Sequence, residues 1–227
     1  MGFIPIFLQV QGKPCLVVGG GEVALRRVLP LLDAGASITV ITSEATAELA
    51  SLAESGRIAL MRRAYRRGDM QGYCLVYAAT DDRALQRRLF EESRELNILI
   101  NMADEPESCS FIVPSVIRRG QLQVAISTAG SSPATARLLR QRLERSLGDE
   151  FEALLEVMAG ARRWLKSHEP DSKVRACKLN ALAASGLGEA LREGDAARVE
   201  RIVALCLGDG VRVTDLGADS AISRNRM

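Results

Sequence analysis

The sequence has one histidine, and it is poorly placed for catalysis: His168 lies in a polar stretch directly before Glu169-Pro170. Histidine-based acid–base chemistry is therefore not expected, and an enzyme built from this chain would move protons with a carboxylate. A Tyr-x-x-x-Lys pair is absent, because the positions four residues after Tyr65, Tyr73 and Tyr77 hold Asp69, Tyr77 and Asp81. A G-K-[ST] phosphate loop is absent too, since Gly12-Lys13 runs into Pro14. The five cysteines, Cys15, Cys74, Cys109, Cys177 and Cys206, are odd in number and widely spaced, with no C-x-x-C. That pattern argues against a disulfide framework and a zinc site, so no metal ligands are assigned and a reducing, cytoplasmic setting is expected. Cys15 and Cys74 fall in apolar strand patterns and read as small core residues. No apolar run is long enough to span a bilayer. The apolar stretch from Gly2 to Val10 lacks a basic leader and a cleavage signal, and reads as a strand. With 30 basic and 28 acidic residues the net charge is +2. This is too small and too scattered to indicate a nucleic-acid partner, and Arg62-Arg63 and Arg66-Arg67 read as solvated surface.

What is present begins at Cys15-Leu16-Val17-Val18-Gly19-Gly20-Gly21-Glu22-Val23-Ala24. A short apolar strand breaks into glycines and re-emerges as a helix. Gly19, Gly21 and Ala24 stand at the spacing G-x-G-x-x-G/A of the dinucleotide fingerprint. Gly19 permits the tight turn, Gly21 has no side chain to hold a pyrophosphate off the backbone, and Ala24 lets the helix lie close on the strand. The amides from Glu22 and Val23 onward then face the phosphates at the positive end of the helix dipole. Val23, Leu25, Val28, Leu31 and Leu32 are available for burial along a helix that Gly35 closes, and Ile38 to Ile41 forms a second strand. This is a βαβ unit.

An acidic residue at the end of the second strand binds the adenosine ribose in such units. Glu44 sits near that place but slightly late, so Ser43 and Thr42 are candidates to share the contact; Ser43-Glu44 equally suits the start of the next helix. No Arg or Lys lies directly there to receive a 2′-phosphate, which favours NAD over NADP. Further strands are expected over Arg57 to Met61, Cys74 to Ala78 and Ile98 to Ile100. Thr80, at the end of the fourth, is a cofactor contact candidate, with Asp81 or Asp82 as a helix cap. Beyond this the pattern changes. Phe111 to Ile117 and Leu122 to Ser127 read as a hairpin, and Ser132-Pro133 opens a basic helix from Ala134 to Leu147. Helices are then expected over about 149–167, 172–184 and 195–207. The fold class is thus α/β: a Rossmann-like parallel sheet, a β-hairpin/helix segment and a C-terminal helical domain. The corresponding boundaries are 1–113, 114–147 and 148–213, with 214–227 a flexible tail.

Five motifs occur in order: Pro5-Ile6-Phe7; Gly19-Gly20-Gly21-Glu22-Val23-Ala24; Ala78-Ala79-Thr80-Asp81-Asp82; Asn101-x-x-Asp104-x-Pro106 with Phe111-Ile112-x-Pro114-Ser115; and Ser127-Thr128-x-Gly130-x-Ser132-Pro133. Together they resemble the siroheme synthase family, in its precorrin-2 dehydrogenase / sirohydrochlorin ferrochelatase part, over residues 3 to about 147. The resemblance implies NAD-dependent oxidation of precorrin-2 to sirohydrochlorin, followed in many relatives by insertion of ferrous iron as a second substrate. It also implies a homodimer formed through the segment after the Rossmann unit. Asp104 matches the family's catalytic aspartate and would accept protons. Ser127 and Thr128 would lie by the substrate, Asn101 belongs to the same set, and Arg119 and Arg137 could clamp its carboxylates. The helical remainder resembles the family loosely. A contrasting reading from the glycine loop alone is an NAD-sensing regulatory module without catalysis.

Overall fold

The computed structural model describes residues 2–103, 105 and 108–221 in full, and the backbone of 222 and 223. The chain forms two compact units, one of Met1–Val113 with Ala129–Ser131, the other of Pro114–Thr128 with Ser132–Met227.

Unit 1 is a five-stranded parallel sheet. Its strands are β1 (Pro14–Val18), β2 (Ser37–Thr42), β3 (Ala59–Arg62), β4 (Leu75–Ala78) and β5 (Leu99–Met102), in the order β3-β2-β1-β4-β5. The alternation of strand side chains explains why both faces are covered. Cys15, Val17 and Val40 face one core with Ala24, Val28 and Leu31 of α1 (Glu22–Asp33) and Leu49 of α2 (Ala47–Glu54). Leu16, Val18, Ile41, Val76 and Ile100 face the other, with Leu89 of α3 (Arg83–Leu96). The connection from β3 to β4 is not helical, and Tyr65 and Met70 fill the core in place of a crossover helix. It is pinned to α3: the Tyr65 hydroxyl donates to buried Glu92 at 2.9 Å, and the Gly68 amide donates to the same carboxylate at 2.7 Å. Asp69 accepts from the Arg63 guanidinium and the Arg66 amide.

Unit 2 opens with an antiparallel hairpin, β6 (Ser115–Arg119) and β7 (Leu122–Ile126), followed by α4 (Pro133–Ser146). A helical cluster follows: α5 (Glu150–His168), α6 (Ser172–Ala184), α7 (Leu187–Glu193) and α8 (Ala196–Leu207). Its core is built on Val157, Leu165, Leu182, Leu187, Val203 and Leu207.

Several sequence expectations need correction. Residues 2–9 form no strand and are exposed, with Ile4 81% and Phe7 72% accessible. Phe111 to Pro114 is not part of the hairpin; Phe111 instead meets the Tyr77 ring edge-on at 5.5 Å in unit 1. Helix α7 was not anticipated, being only seven residues long. The hairpin, α4 and the helical cluster fall in one unit, not two. The expected flexible tail is ordered through residue 221. Thr214–Leu216 is a 3-10 turn, a short helix α9 spans Asp219–Ser223, and Leu216, Ala218 and Ala221 are buried in the helical core. Leu216 lies so close to Gly160 of α5 that a Cβ there would stand 2.4 Å from its carbonyl oxygen. Packing of three apolar side chains outweighed the polar composition that suggested mobility.

Candidate functional site

The three glycines after β1 do three different jobs. Gly19 has a φ of +123°, and a Cβ on it would lie 1.9 Å from the Ala79 carbonyl oxygen. The Gly19 amide donates to Ile41 O at 2.9 Å while the Ala79 amide donates to Val18 O at 2.7 Å, so this residue is wedged between β2 and β4. Gly20 presses on the other side. A Cβ there would stand 1.9 Å from Glu44 O and 2.6 Å from the Thr42 hydroxyl, and its carbonyl accepts from the Thr46 amide at 2.9 Å. Gly21 is the opposite case: a Cβ on it would meet nothing within 4 Å. It occupies the N-cap of α1, and no side chain caps that end. Open space therefore lies before a helix start that no side chain caps, as an incoming phosphate requires. Ala24, fully buried, seats α1 on β1. Among the described residues these features fit the pyrophosphate of a dinucleotide.

The neighbouring strand ends supply the rest. Thr42 closes β2; its hydroxyl donates to Glu44 O at 2.6 Å and accepts from the Glu44 amide at 3.3 Å, which staples the turn and leaves Ser43 and Glu44 exposed. The cap of α2 is Thr46, which accepts from the Leu49 amide, and not Ser43 or Glu44. That leaves both side chains available to a ligand. At the end of β4, Asp82 caps α3 by accepting from the Ala84 and Leu85 amides. Thr80 receives the Asp82 amide at 3.3 Å, and its carbonyl accepts from the Gln86 side chain at 2.7 Å. Buried Gln86 thus holds the Thr80 turn from beneath. The glycines, Ser43, Glu44 and Thr80 lie in loops, and Glu22 and Val23 in the first turn of α1, all at the carboxyl edge of one sheet, where a doubly wound fold binds its ligand.

Asn101 in β5 is buried, and its amide nitrogen donates to Phe111 O at 3.0 Å. Its carbonyl oxygen meets no partner among the described residues. The Cys109 sulfur receives the Met102 amide at 3.1 Å and is set to donate to Glu105 O at 3.3 Å, which ties the ends of the segment that follows β5. Burial pushes the Cys109 thiol above its ordinary range, and drives that of Cys15, beside Cys74, up to about 12. Both are poor nucleophiles. Burial likewise raises the Tyr77 phenol against the opposing Arg27 guanidinium, which lies over its ring. Asp104 lies outside the described residues.

The remaining candidates belong to unit 2. Thr128 accepts from the Ser132 amide at 3.1 Å, and Ser132 caps α4 by accepting from the Thr135 amide at 3.2 Å. Ala129 and Gly130 between them take φ of +51° and +87°. Ser127 and Arg137 are exposed. Arg119, a candidate substrate clamp, makes its contacts within unit 2. Its Nε donates to Leu147 O at 3.0 Å at the end of α4, and the guanidinium pairs with Glu144 at 3.9 Å and Asp149 at 3.6 Å. Among the described residues no group of His, Cys, Asp and Glu is placed to hold a metal, and no helix is long and apolar enough to cross a membrane. Sequence reasoning missed Gly20 and Gln86. A glycine at the free position of the fingerprint was the available signal for the first; the second had none.

A glycine loop at the carboxyl edge of a five-stranded parallel sheet defines a dinucleotide-binding protein of the Rossmann class. A family model described as NAD(P)-binding matches residues 6–115, and one for the central part of sirohaem biosynthesis proteins matches residues 119–146. The chain is 41% identical over 175 residues to the siroheme synthase of Methylococcus capsulatus, covering 77% of this chain and 37% of that protein. It is 39% identical over 203 residues to siroheme synthase 1 of Aeromonas salmonicida, covering 89% and 43%. Among solved structures it resembles SirC, a precorrin-2 dehydrogenase, with a TM-score of 0.74 at 22% identity over 90% of this chain and 98% of that one. In sequence the chain is related to the siroheme synthases, and its residues 6–115 carry an NAD(P)-binding domain. It spans about two fifths of the length of the curated relatives it matches.

Proposed function

We propose that this chain oxidises precorrin-2 to sirohydrochlorin, passing a hydride to NAD and releasing a proton. The observation that carries the reading is the open space before the uncapped start of α1, in a chain whose residues 119–146 match the central part of sirohaem biosynthesis proteins. NAD when bound would supply the hydride acceptor. The chain's own residues bind and orient: the α1 amides hold the pyrophosphate, Ser43 and Glu44 meet the adenosine ribose, and Thr80 lines the nicotinamide half. Asp104, two residues past the end of β5, accepts the proton lost by the macrocycle. Ser127, Thr128 and Arg137 take the substrate, whose carboxylates suit an arginine.

The active form is a homodimer. Support comes from α4, where Leu138, Leu139 and Leu143 are exposed at 47%, 40% and 42%, an apolar stripe that a second copy would cover. The setting is the reducing cytoplasm, in keeping with five free cysteines. The test is anaerobic absorbance of the purified chain with precorrin-2 and NAD, followed by ferrous iron as substrate. Joint growth of the sirohydrochlorin and NADH spectra is expected, and Asp104→Ala should bind NAD normally while turning over poorly. Absence of NADH with intact NAD binding would replace the dehydrogenase by a sensing module. Enzyme-accelerated metal insertion would add the chelatase step.

A further inference from the structure

The carboxyl edge of the sheet carries one cation that chain order conceals. Strands β2 and β3 are parallel and end together, with Thr42 opposite Arg62. Neighbouring strands lie about 4.8 Å apart, well within reach of an arginine side chain. Alternation fixes the face. Leu60 and Val40 both sit in the core beneath α1 and α2, so Arg62 and Thr42, each two residues further on, stand on the face that carries the glycine-loop helix. Arg62 is exposed, and its side chain has no hydrogen-bond or ion-pair partner among the described residues. Its neighbour Arg63 is different, being committed to Asp69 through both terminal nitrogens. The Thr42–Glu44 turn beside Arg62 is also the turn against which Gly20 packs, so this cation stands next to the place assigned to the adenosine ribose.

An arginine there has a specific use. Its planar fork matches a phosphate in a way it does not match a ribose hydroxyl. Glu44 on the same edge has the opposite preference, accepting from a free 2′-hydroxyl and repelling a 2′-phosphate. We infer that Arg62 is a specificity-determining residue that receives the 2′-phosphate of NADP, so that this chain binds NADP as well as NAD.

The test is isothermal titration of the full chain with NAD and, separately, with NADP, comparing wild type with Arg62→Ala and Arg62→Lys. Wild type should bind both dinucleotides, and binding of NADP should weaken more steeply with added salt. In Arg62→Ala the dissociation constant for NADP should rise about tenfold, as expected for one exposed charge-assisted contact. NAD affinity is the internal reference and should move less than about twofold, and Arg62→Lys should recover part of the loss. Equal losses for both dinucleotides would make Arg62 a structural residue and overturn the inference. So would failure of wild type to bind NADP while binding NAD. Failure to bind either one would instead strike at the dinucleotide site itself.

Discussion

Two adjacent glycines give opposite predictions for the same substitution. In Gly20→Ala the new methyl would start 1.9 Å from Glu44 O, whereas ordinary contact begins near 3.4 Å. About 1.5 Å must be made up by moving backbone, because the obstructing atom is a carbonyl and not the end of a flexible side chain. Overpacking of this kind costs about 1–3 kcal/mol. The shift also strains the hydrogen bond from the Thr46 amide to Gly20 O, worth about 1 kcal/mol. A total of about 2–4 kcal/mol should lower the melting midpoint by roughly 5–15 °C for a chain of this size. In Gly21→Ala the methyl points into open space, and the backbone, at φ −86° and ψ −171°, is one that alanine adopts freely. The only stability cost is the poorer N-cap, about 0.5–1 kcal/mol. The methyl nevertheless occupies the approach to the α1 amides, and loss of charge-assisted bonds to a pyrophosphate weakens NAD by roughly 10- to 150-fold. Differential scanning calorimetry and NAD titration on both variants separate the two roles. A folded Gly21→Ala that binds NAD within about threefold of wild type would refute the placement of the pyrophosphate. An undiminished midpoint in Gly20→Ala would refute the tight seating of the loop on the β2–α2 turn.

Arg119 and Arg137 should part company in the same way. Arg119→Ala removes the contact to Leu147 O and should cost about 1 kcal/mol of stability, while Arg137→Ala should leave the melting midpoint unchanged and raise the KM for precorrin-2; the reverse pattern would reinstate Arg119 as the clamp. A third prediction concerns pH. The Arg63 guanidinium, hydrogen-bonded to Asp69, holds that carboxyl below its ordinary value of 3.8. The folded state thus gains stability that is present above that value and is lost as pH falls through the depressed one. Melting midpoints of wild type and Asp69→Asn should therefore differ at neutral pH and converge below about pH 4; a gap that persists unchanged into acid would exclude the ion pair as its source.

Much of unit 1 was legible because short-range rules govern it. A buried strand, a glycine turn and an amphipathic helix are contiguous, so Leu16 to Val18, the fingerprint and Val28 with Leu31 could be read from spacing alone. The same holds for Ser132-Pro133, where cap and first helical residue are adjacent. What escaped was set by contacts between distant positions. Gly2 to Val10 has strand composition, yet no strand of the described sheet pairs with it, and composition cannot say whether a partner exists. The tail looked mobile until Leu216 and Ala221 found a core made by helices up to about 65 residues earlier. Arg119 looked free because its acceptor, Leu147 O, is 28 residues away.

Arg62 shows the same limit within the site. Read along the chain, it is one member of a basic cluster that surface solvation explains. Read across the sheet, it is opposite Thr42 at the edge proposed for the cofactor's ribose. The chain therefore contains an acid suited to NAD within two residues of β2, and a base suited to a 2′-phosphate eighteen residues beyond that acid. The short-range member decided the cofactor preference drawn from sequence. Parallel strand order, which only tertiary pairing fixes, brings the second member alongside the first.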